Sequence, residues 1–192
     1  MNYFIQVPMK AKKLREDAKP LQYAHPGDSG MDVFVCDIKR LNENKKPVEV
    51  PPADEWVIMP GETILACSGW AVSIPRGTEI QVRPTSGNGL KTKMRVPNAP
   101  GTVDSIYRGE VGIELENIGT EPFVLKKYAK VAQLVLCPVF EAIIEEVDEL
   151  DETNRGAAGY GSTGTMNATV EASSHSCKGD CKGCGGHCGG CH

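Results

Sequence analysis

EWVIMPGETILACSGWAVSIPRGTEIQVR, residues 55–83, decides the fold class. Its four runs, EWVIM, TILAC, WAVSI and EIQVR, are apolar or alternate apolar with polar residues, the habit of short strands with a buried face. MPGE and IPRGT interrupt them with proline-glycine turn chemistry. The same alternation continues outward, in FIQVPM and MDVFVC on one side and in EVGIELEN and VAQLVLCPVF on the other. HPGDSG and NAPGT stand between as turns. Thirteen prolines leave little room for long helices. KRLNENKKPVEVPPADE, residues 39–55, is polar and proline-rich and reads as a surface insertion within a hairpin. The expectation is an all-β domain of the sandwich, jelly-roll or barrel kind.

A chain of 192 residues suffices for one core-bearing domain with extensions. A net charge of −4 without a basic block argues against a nucleic-acid partner. A small anionic ligand would then be held by a few placed cations or a metal. No apolar run is long enough to span a bilayer, and the N-terminus lacks the apolar stretch of a signal peptide. An intracellular, soluble, cytoplasmic protein is expected. Cys36, Cys67 and Cys137 sit singly in apolar runs and read as small buried hydrophobes. The other five cysteines lie in the last sixteen residues. Three segments follow: a core over 1–146, a glycine-rich arm over 147–165 that closes over the site, and a linker and Cys/Gly-rich tail over 166–192.

Four polar constellations break the strand pattern, and each also has a reading as a plain turn or linker. In the first, His25 to Asp32, Asp28 and Gly30 suit a turn, but Asp32 opens an apolar strand where a carboxylate needs a partner. In the second, Arg83 to Gly89, a strand ends in Thr85, Ser86 and Gly87, whose hydroxyls and close-approaching amides suit phosphate oxygens. The third, Asn98 to Gly109, is a hairpin offering an amide, the Asp104 carboxylate and the Tyr107 phenol; a fixed carboxylate is what a water-activating base requires. The fourth, Arg155 to Gly164, joins a guanidinium to glycines that suit phosphate contact, with Tyr160 available to stack on a base.

In order and spacing these stretches resemble the five motifs of the trimeric dUTPase family: HPGDSGMDV, RPTSG, NAPGTVDSIYRGE, KVAQLVLCPV and RGAAGYGSTG. The resemblance implies a jelly-roll-like β-barrel, a homotrimer with active sites between subunits, and hydrolysis of dUTP to dUMP and pyrophosphate. That reaction limits dUTP and supplies dUMP for thymidylate synthesis. It further implies that Asn98, Gly101 and Val103 read the uracil edge by backbone and amide, while Tyr107 lies under the deoxyribose. Asp104 would activate the water attacking the α-phosphorus in line. Ser86 would donate to the leaving group, and Thr85, Gly87 and Gln133 would lie against phosphate. Asp32 would accept from waters of a substrate-borne Mg2+. Arg155, Tyr160, Gly161 and Ser162 would close over the nucleotide from the arm.

This sequence departs from the family pattern at several points. Thr85 stands where an arginine usually precedes Ser86-Gly87, so one cation is missing, with Arg83 or Lys91 as possible replacements. Tyr128-Ala129-Lys130 stands for Gly-Asp-Arg, which suggests a different turn. Ile106 replaces a frequent acidic residue, and Ala158 a glycine. A dCTP deaminase on the same fold, using Glu114 or Glu116, and a regulatory binding module are the rival functions. Cys177, Cys181, Cys184, Cys188 and Cys191, with His187 and His192 nearby, suit Zn2+ or another soft metal; the alternatives are an unstructured thiol-rich tail and a docking segment for an unknown partner.

Overall fold

The computed structural model describes residues 6–158. Its strands are β1 (Lys10–Lys13), β2 (Met31–Phe34), β3 (Asp37–Leu41), β4 (Pro47–Glu49), β5 (Glu55–Ile58), β6 (Thr63–Ser73) and β7 (Thr78–Arg83). One short helix, α1 (Ser86–Lys91), precedes β8 (Met94–Arg95), β9 (Gly101–Asp104), β10 (Glu110–Asn117), β11 (Phe123–Lys126) and β12 (Lys130–Pro138). One sheet runs β4-β3-β6-β10-β8, with β1 also on β6; a second runs β2-β12-β7-β9; β5 and β11 form a two-stranded ribbon. Every pairing is antiparallel. The fold is all-β and jelly-roll-like.

Alternation along the strands builds the core. β10 buries Val111, Ile113 and Leu115 and turns Glu114 to solvent. From the other sheet, β7 buries Ile80 and Val82, and β12 buries Val131 and Leu134. These join Val33, Ile38, Ile58 and Ile64 in one cluster. Fully burying such side chains stabilises the fold by about 1.5–3 kcal/mol each.

TILAC and WAVSI form the single eleven-residue strand β6, not two strands. Gly69 makes that continuity possible, because it adopts φ +76° at a bulge. A Cβ there would lie 2.5 Å from the Ala18 Cβ and 3.0 Å from the Cys36 sulfur. The Gly69 N–H donates to Glu110 Oε1 at 2.8 Å, and Glu110 with Asp37 flanks the Arg15 guanidinium. FIQVPM is not a strand over its described residues; the first strand is KAKK, paired with β6. The polar insertion is the β3–β4 hairpin, whose turn is held by Asn42 Oδ1 accepting from the N–H groups of Asn44 and Lys46.

Cys36 and Cys67 are buried free thiols, and burial pushes them up to about 11 and about 12 respectively. They are core hydrophobes with no thiolate chemistry near neutral pH. Cys137 differs from the expectation. It is half-buried, and its sulfur faces the Arg83 guanidinium at 3.5 Å. Among the described residues no helix is long and apolar enough to cross a membrane.

Among the described residues Asn117 is the one fully buried side-chain amide. Its Nδ2 donates to the carbonyls of Ile58 (3.0 Å) and Glu121 (2.9 Å), and its Oδ1 accepts from the Gly119 N–H. It thereby locks the end of β10 to β5 and to the following turn. Asn117→Ala strands buried backbone groups and is expected to lower unfolding stability by about 2–4 kcal/mol. A shift in urea midpoint at unchanged slope measures this; no shift would show that water replaces the amide.

Candidate functional site

Strand β12 organises the polar face of the second sheet. Its Gln133 lies opposite Asp32 of β2 on one side and Arg83 of β7 on the other. Residues in register share a face, so Asp32, Gln133 and Arg83 form a row across three strands. Val33, Leu134 and Val82, their chain neighbours, point into the core.

Cross-contacts fasten this row to the surrounding loops. Lys130 Nζ lies 3.2 Å from Asp32 Oδ2, and the carboxylate is largely covered while the ammonium is exposed. Gln133 Nε2 donates to the Pro84 carbonyl at 3.3 Å. The Gln133 side chain lies flat on Gly30, where a Cβ would come 2.9 Å from its Oε1. Gly30 is thus set by this close approach as well as by the turn. Asp28 serves the loop itself, since its Oδ2 accepts from the His25 N–H at 2.8 Å.

In RPTSGNG, Arg83 ends β7, and the stretch from Ser86 forms α1 where a plain turn was the alternative. Thr85 is its N-cap: the Asn88 N–H donates to Thr85 Oγ1 at 3.4 Å. Ser86 and Gly87 follow, exposed, in the first turn. Sequence reasoning missed Asn88. Its Nδ2 donates to the Lys130 carbonyl at 2.9 Å and docks α1 against the start of β12. Its place two residues after Ser86 was the only available signal.

Tyr128-Ala129-Lys130 keeps a tight turn. The Ala129 N–H donates to the Lys126 carbonyl, and Tyr128 takes φ +64°, a conformation that glycine adopts more cheaply. The Tyr128 N–H bonds the Val35 carbonyl, its phenol donates to Asp17 Oδ2 at 3.1 Å, and the Lys19 ammonium lies 5.2 Å from its ring.

The NAPGTVDSIYRG hairpin lies at the other edge of the sheet. Gly101 is buried against Asn98 and Val82. The Val103 side chain lies in the core, so only its backbone can meet a ligand. Asn98 and Asp104 are exposed. A turn links Asp104 to Tyr107, whose N–H donates to the Asp104 carbonyl at 3.0 Å. Arg108 Nη1 donates to the Ser105 carbonyl at 2.8 Å and steadies it. Tyr107 Oη donates to the Glu110 carbonyl at 3.0 Å, and its ring lies directly over Gly109, where a Cβ would fall 2.6 Å from Cζ.

The register separates Asp104 from the row. Asp104 pairs with Glu79, four residues along β7 from Arg83 and three strands across from Asp32. At about 4.8 Å per strand and about 3.3 Å per residue, Asp104 and Asp32 of one chain stand roughly 20 Å apart. The hairpin's base, Ala99 and Pro100, borders Arg83 and Gln133, whereas Asp104 itself stands apart from the row. Arg155 belongs to the second of two units, residues 144–192, where its Nε donates to the Ala158 carbonyl at 3.1 Å. Tyr160, Gly161, Ser162 and the five tail cysteines lie outside the described residues.

Comparison with known proteins gives a consistent picture. The dUTPase family profile matches residues 49–164. Deoxyuridine 5'-triphosphate nucleotidohydrolase of Clostridium tetani is 43% identical over 156 residues, covering 81% of this chain and 96% of that protein. The protein of the same description from Trichodesmium erythraeum is 43% identical over 157 residues, covering 82% and 99%. Among solved structures, a Staphylococcus bacteriophage 80alpha dUTPase with dUpNHpp has a similar fold, at TM-score 0.69 and 22% identity over 82% of this chain and 99% of that one. A dUTPase from phage phi11 of S. aureus, described with a structural Mg(II) ion, gives TM-score 0.62 and 21% identity, with 76% and 99% covered. The motifs, the fold and these relatives agree, and the chain belongs to the dUTPase family.

Proposed function

We propose that this chain hydrolyses dUTP to dUMP and pyrophosphate, in sites that more than one copy assembles. The observation that carries the reading is convergence. Three stretches far apart in sequence meet through Lys130–Asp32, Gln133–Pro84 and Asn88–Lys130 to make a phosphate half-site, while the Asn98–Gly109 hairpin forms a nucleoside half-site. A base and the phosphate-holding groups must flank the same phosphorus, within hydrogen-bond reach. Within one chain Asp104 stands roughly 16 Å from Gln133 and roughly 20 Å from Asp32, which argues against a site completed by one copy. A closed ring of copies, a homotrimer, joins one copy's hairpin to the next copy's phosphate half and leaves every site complete.

The hairpin supplies nucleoside selectivity by shape. Its backbone and Asn98 address the uracil edge, and Tyr107, fixed over Gly109 by its bond to Glu110, crowds a 2′-hydroxyl. Asp104 takes the proton of the water that attacks the α-phosphorus as pyrophosphate leaves, with no covalent enzyme intermediate. Ser86 donates to the leaving group and Gln133 to a phosphate oxygen, and the Arg155 guanidinium has the chemistry of a further phosphate contact. Positioning and charge stabilisation supply most of the acceleration.

The donor set fits Mg2+ carried by the substrate. Among the described residues no three His, Cys, Asp or Glu side chains gather into a cage. Asp32, a single carboxylate with Lys130 on one oxygen, suits the outer shell of an ion that keeps its waters. When bound, the ion neutralises phosphate charge. The deaminase alternative draws less support, since Glu114 and Glu116 lie on β10 in the other sheet. The tail, with its thiols and two histidines, has the ligand chemistry for Zn2+ or another soft metal, separate from hydrolysis.

Pyrophosphate release should be strong with dUTP, weak with dTTP, dCTP and UTP, and dependent on Mg2+; ammonia release from dCTP would point to the deaminase instead. Asp104→Asn should lower kcat by about 10²–10⁴ with the oligomer intact, whereas a purely regulatory module would keep its small basal rate. Refolding Asp104→Asn together with Ser86→Ala should restore about a quarter of the wild-type sites, by random pairing of halves between copies; no recovery would place each site within one chain.

Gly109→Ala forces the Tyr107 ring aside. It should raise KM for dUTP and narrow the preference for dUTP over UTP, read as the ratio of kcat/KM values. An unchanged ratio would remove Tyr107 from sugar selection. Metal analysis of the full chain should find about one soft metal ion more per chain than in a protein ending at residue 165; equal content in the two would rule out the metal clip.

A further inference from the structure

Thr85 leaves the phosphate half-site one cation short, and the structure distinguishes the two candidates to replace it. Lys91 is an exposed side chain in the last turn of α1, a helix with no buried residue. Its charge is solvated and its rotamers are free, so ordering it against an anion gains little. Arg83 is in the opposite situation. It is half-buried, in register with Gln133, and on the same face as Gln133 and Asp32.

Its orientation is already fixed. Arg83 Nε and Nη2 donate to Gln81 Oε1 at 2.9 and 2.6 Å, and Nη2 also faces the Cys137 sulfur. Gln81 is itself held by its Nε2 donating to Glu79 Oε1 at 2.6 Å. Of the five guanidinium N–H groups, the two on Nη1 have no acceptor among the described residues. No carboxylate pairs with Arg83 there either, although desolvating a cation calls for a counter-charge. Arg83 borders an open hollow of about 420 Å³ shared with Pro84, Ala99, Pro100 and Gln133, and a larger one of about 1190 Å³ shared with Thr78 and Cys137.

We propose that Arg83, held by the Glu79–Gln81 pair, supplies the triphosphate-binding cation that Thr85 does not, with its Nη1 N–H groups open to phosphate oxygens. The inference rests on reading this face as the phosphate half of a dUTP site. Thr85 is free to cap α1 because the charge has moved two residues back along the chain, onto the strand. The planar fork suits phosphate oxygens in a way that an ammonium does not match.

The test compares Arg83→Gln, Arg83→Lys, Lys91→Gln and the double variant Arg83→Gln/Thr85→Arg, all as full chains whose mass is checked by light scattering. Calorimetry measures affinity for dUMP and for a non-hydrolysable imido analogue of dUTP, and steady-state assays give kcat and KM. Arg83→Gln should weaken the triphosphate analogue about tenfold or more while dUMP affinity stays within about twofold. Arg83→Lys should fall between, Lys91→Gln should match wild type, and Thr85→Arg should restore most of the loss. The proposal is overturned by unchanged analogue affinity in Arg83→Gln, by equal losses for dUMP and analogue, by a loss of assembly, or by Lys91→Gln reproducing the effect. A wild-type chain that neither binds the analogue nor releases pyrophosphate overturns the parent reading instead, and is seen before any variant is compared.

Discussion

The pairing register of β12 between β2 and β7 is the constraint on which the rest depends. With Gln133 opposite both Asp32 and Arg83, the polar residues of three strands share one face while Val33, Leu134 and Val82 share the other. A slip of one residue on β12 would send Gln133 into the core and Leu134 into solvent. The core therefore enforces the site. Burying Leu134 and Val82 is what holds Gln133 and Arg83 outward, and Gly30 lets the Gln133 amide lie flat against the neighbouring chain.

The same register determines what one chain cannot do. β9 is the far edge of this sheet; it pairs along β7 from Val82 to Glu79, and Asp104 falls at the end remote from Arg83. Asp104 is as firmly placed as Gln133, but elsewhere. A rigid sheet cannot fold over to bring its two corners together without breaking the pairings that bury Ile80 and Val103. Under the proposed function, assembly of copies is the route by which base and phosphate groups would meet. The hairpin's internal bonds, from Tyr107 to Glu110 and from Arg108 to Ser105, keep it in shape before any partner arrives.

Much of this was legible in the sequence because β alternation and Pro/Gly turns are local signals. EIQVR, EVGIELEN and KVAQLVLCPV each became a strand with the expected inward face. Failures arose where tertiary contact overrides local pattern. TILAC and WAVSI fuse because Gly69 forms a bulge against Ala18 and Cys36, residues distant in the chain. PTSGNGL forms a helical turn because Asn88 has carbonyls on β12 to bond, which no local pattern discloses. Cys137 reads as a core residue by its neighbours, yet it lies on the outward face because strand parity pairs it with Glu79. The motif stretches could be named one by one; that Asp104 stands apart from the Asp32–Gln133–Arg83 row could not, since it lives in the register.

The departures from the family pattern are coupled around the face that carries Asp32, Gln133 and Arg83. Thr85 and Asn88 act on the same turn: the hydroxyl caps α1, and the amide ties it to the carbonyl of Lys130. Lys130 in turn follows Tyr128, which holds a left-handed conformation that costs about 1 kcal/mol in a residue with a Cβ. Contacts to Asp17, Lys19 and Val35 offset that cost and pin the turn from the opposite side. Tyr128 therefore anchors the entry to β12, Lys130 can reach Asp32, and α1 has a fixed surface on which to dock. An arginine at position 85 with a glycine at 128 would place charge at the cap and freedom at the turn. This chain does the reverse, with charge on the strand at Arg83 and rigidity at the turn. If this face binds the triphosphate as proposed, groups carried on strands need less ordering on binding.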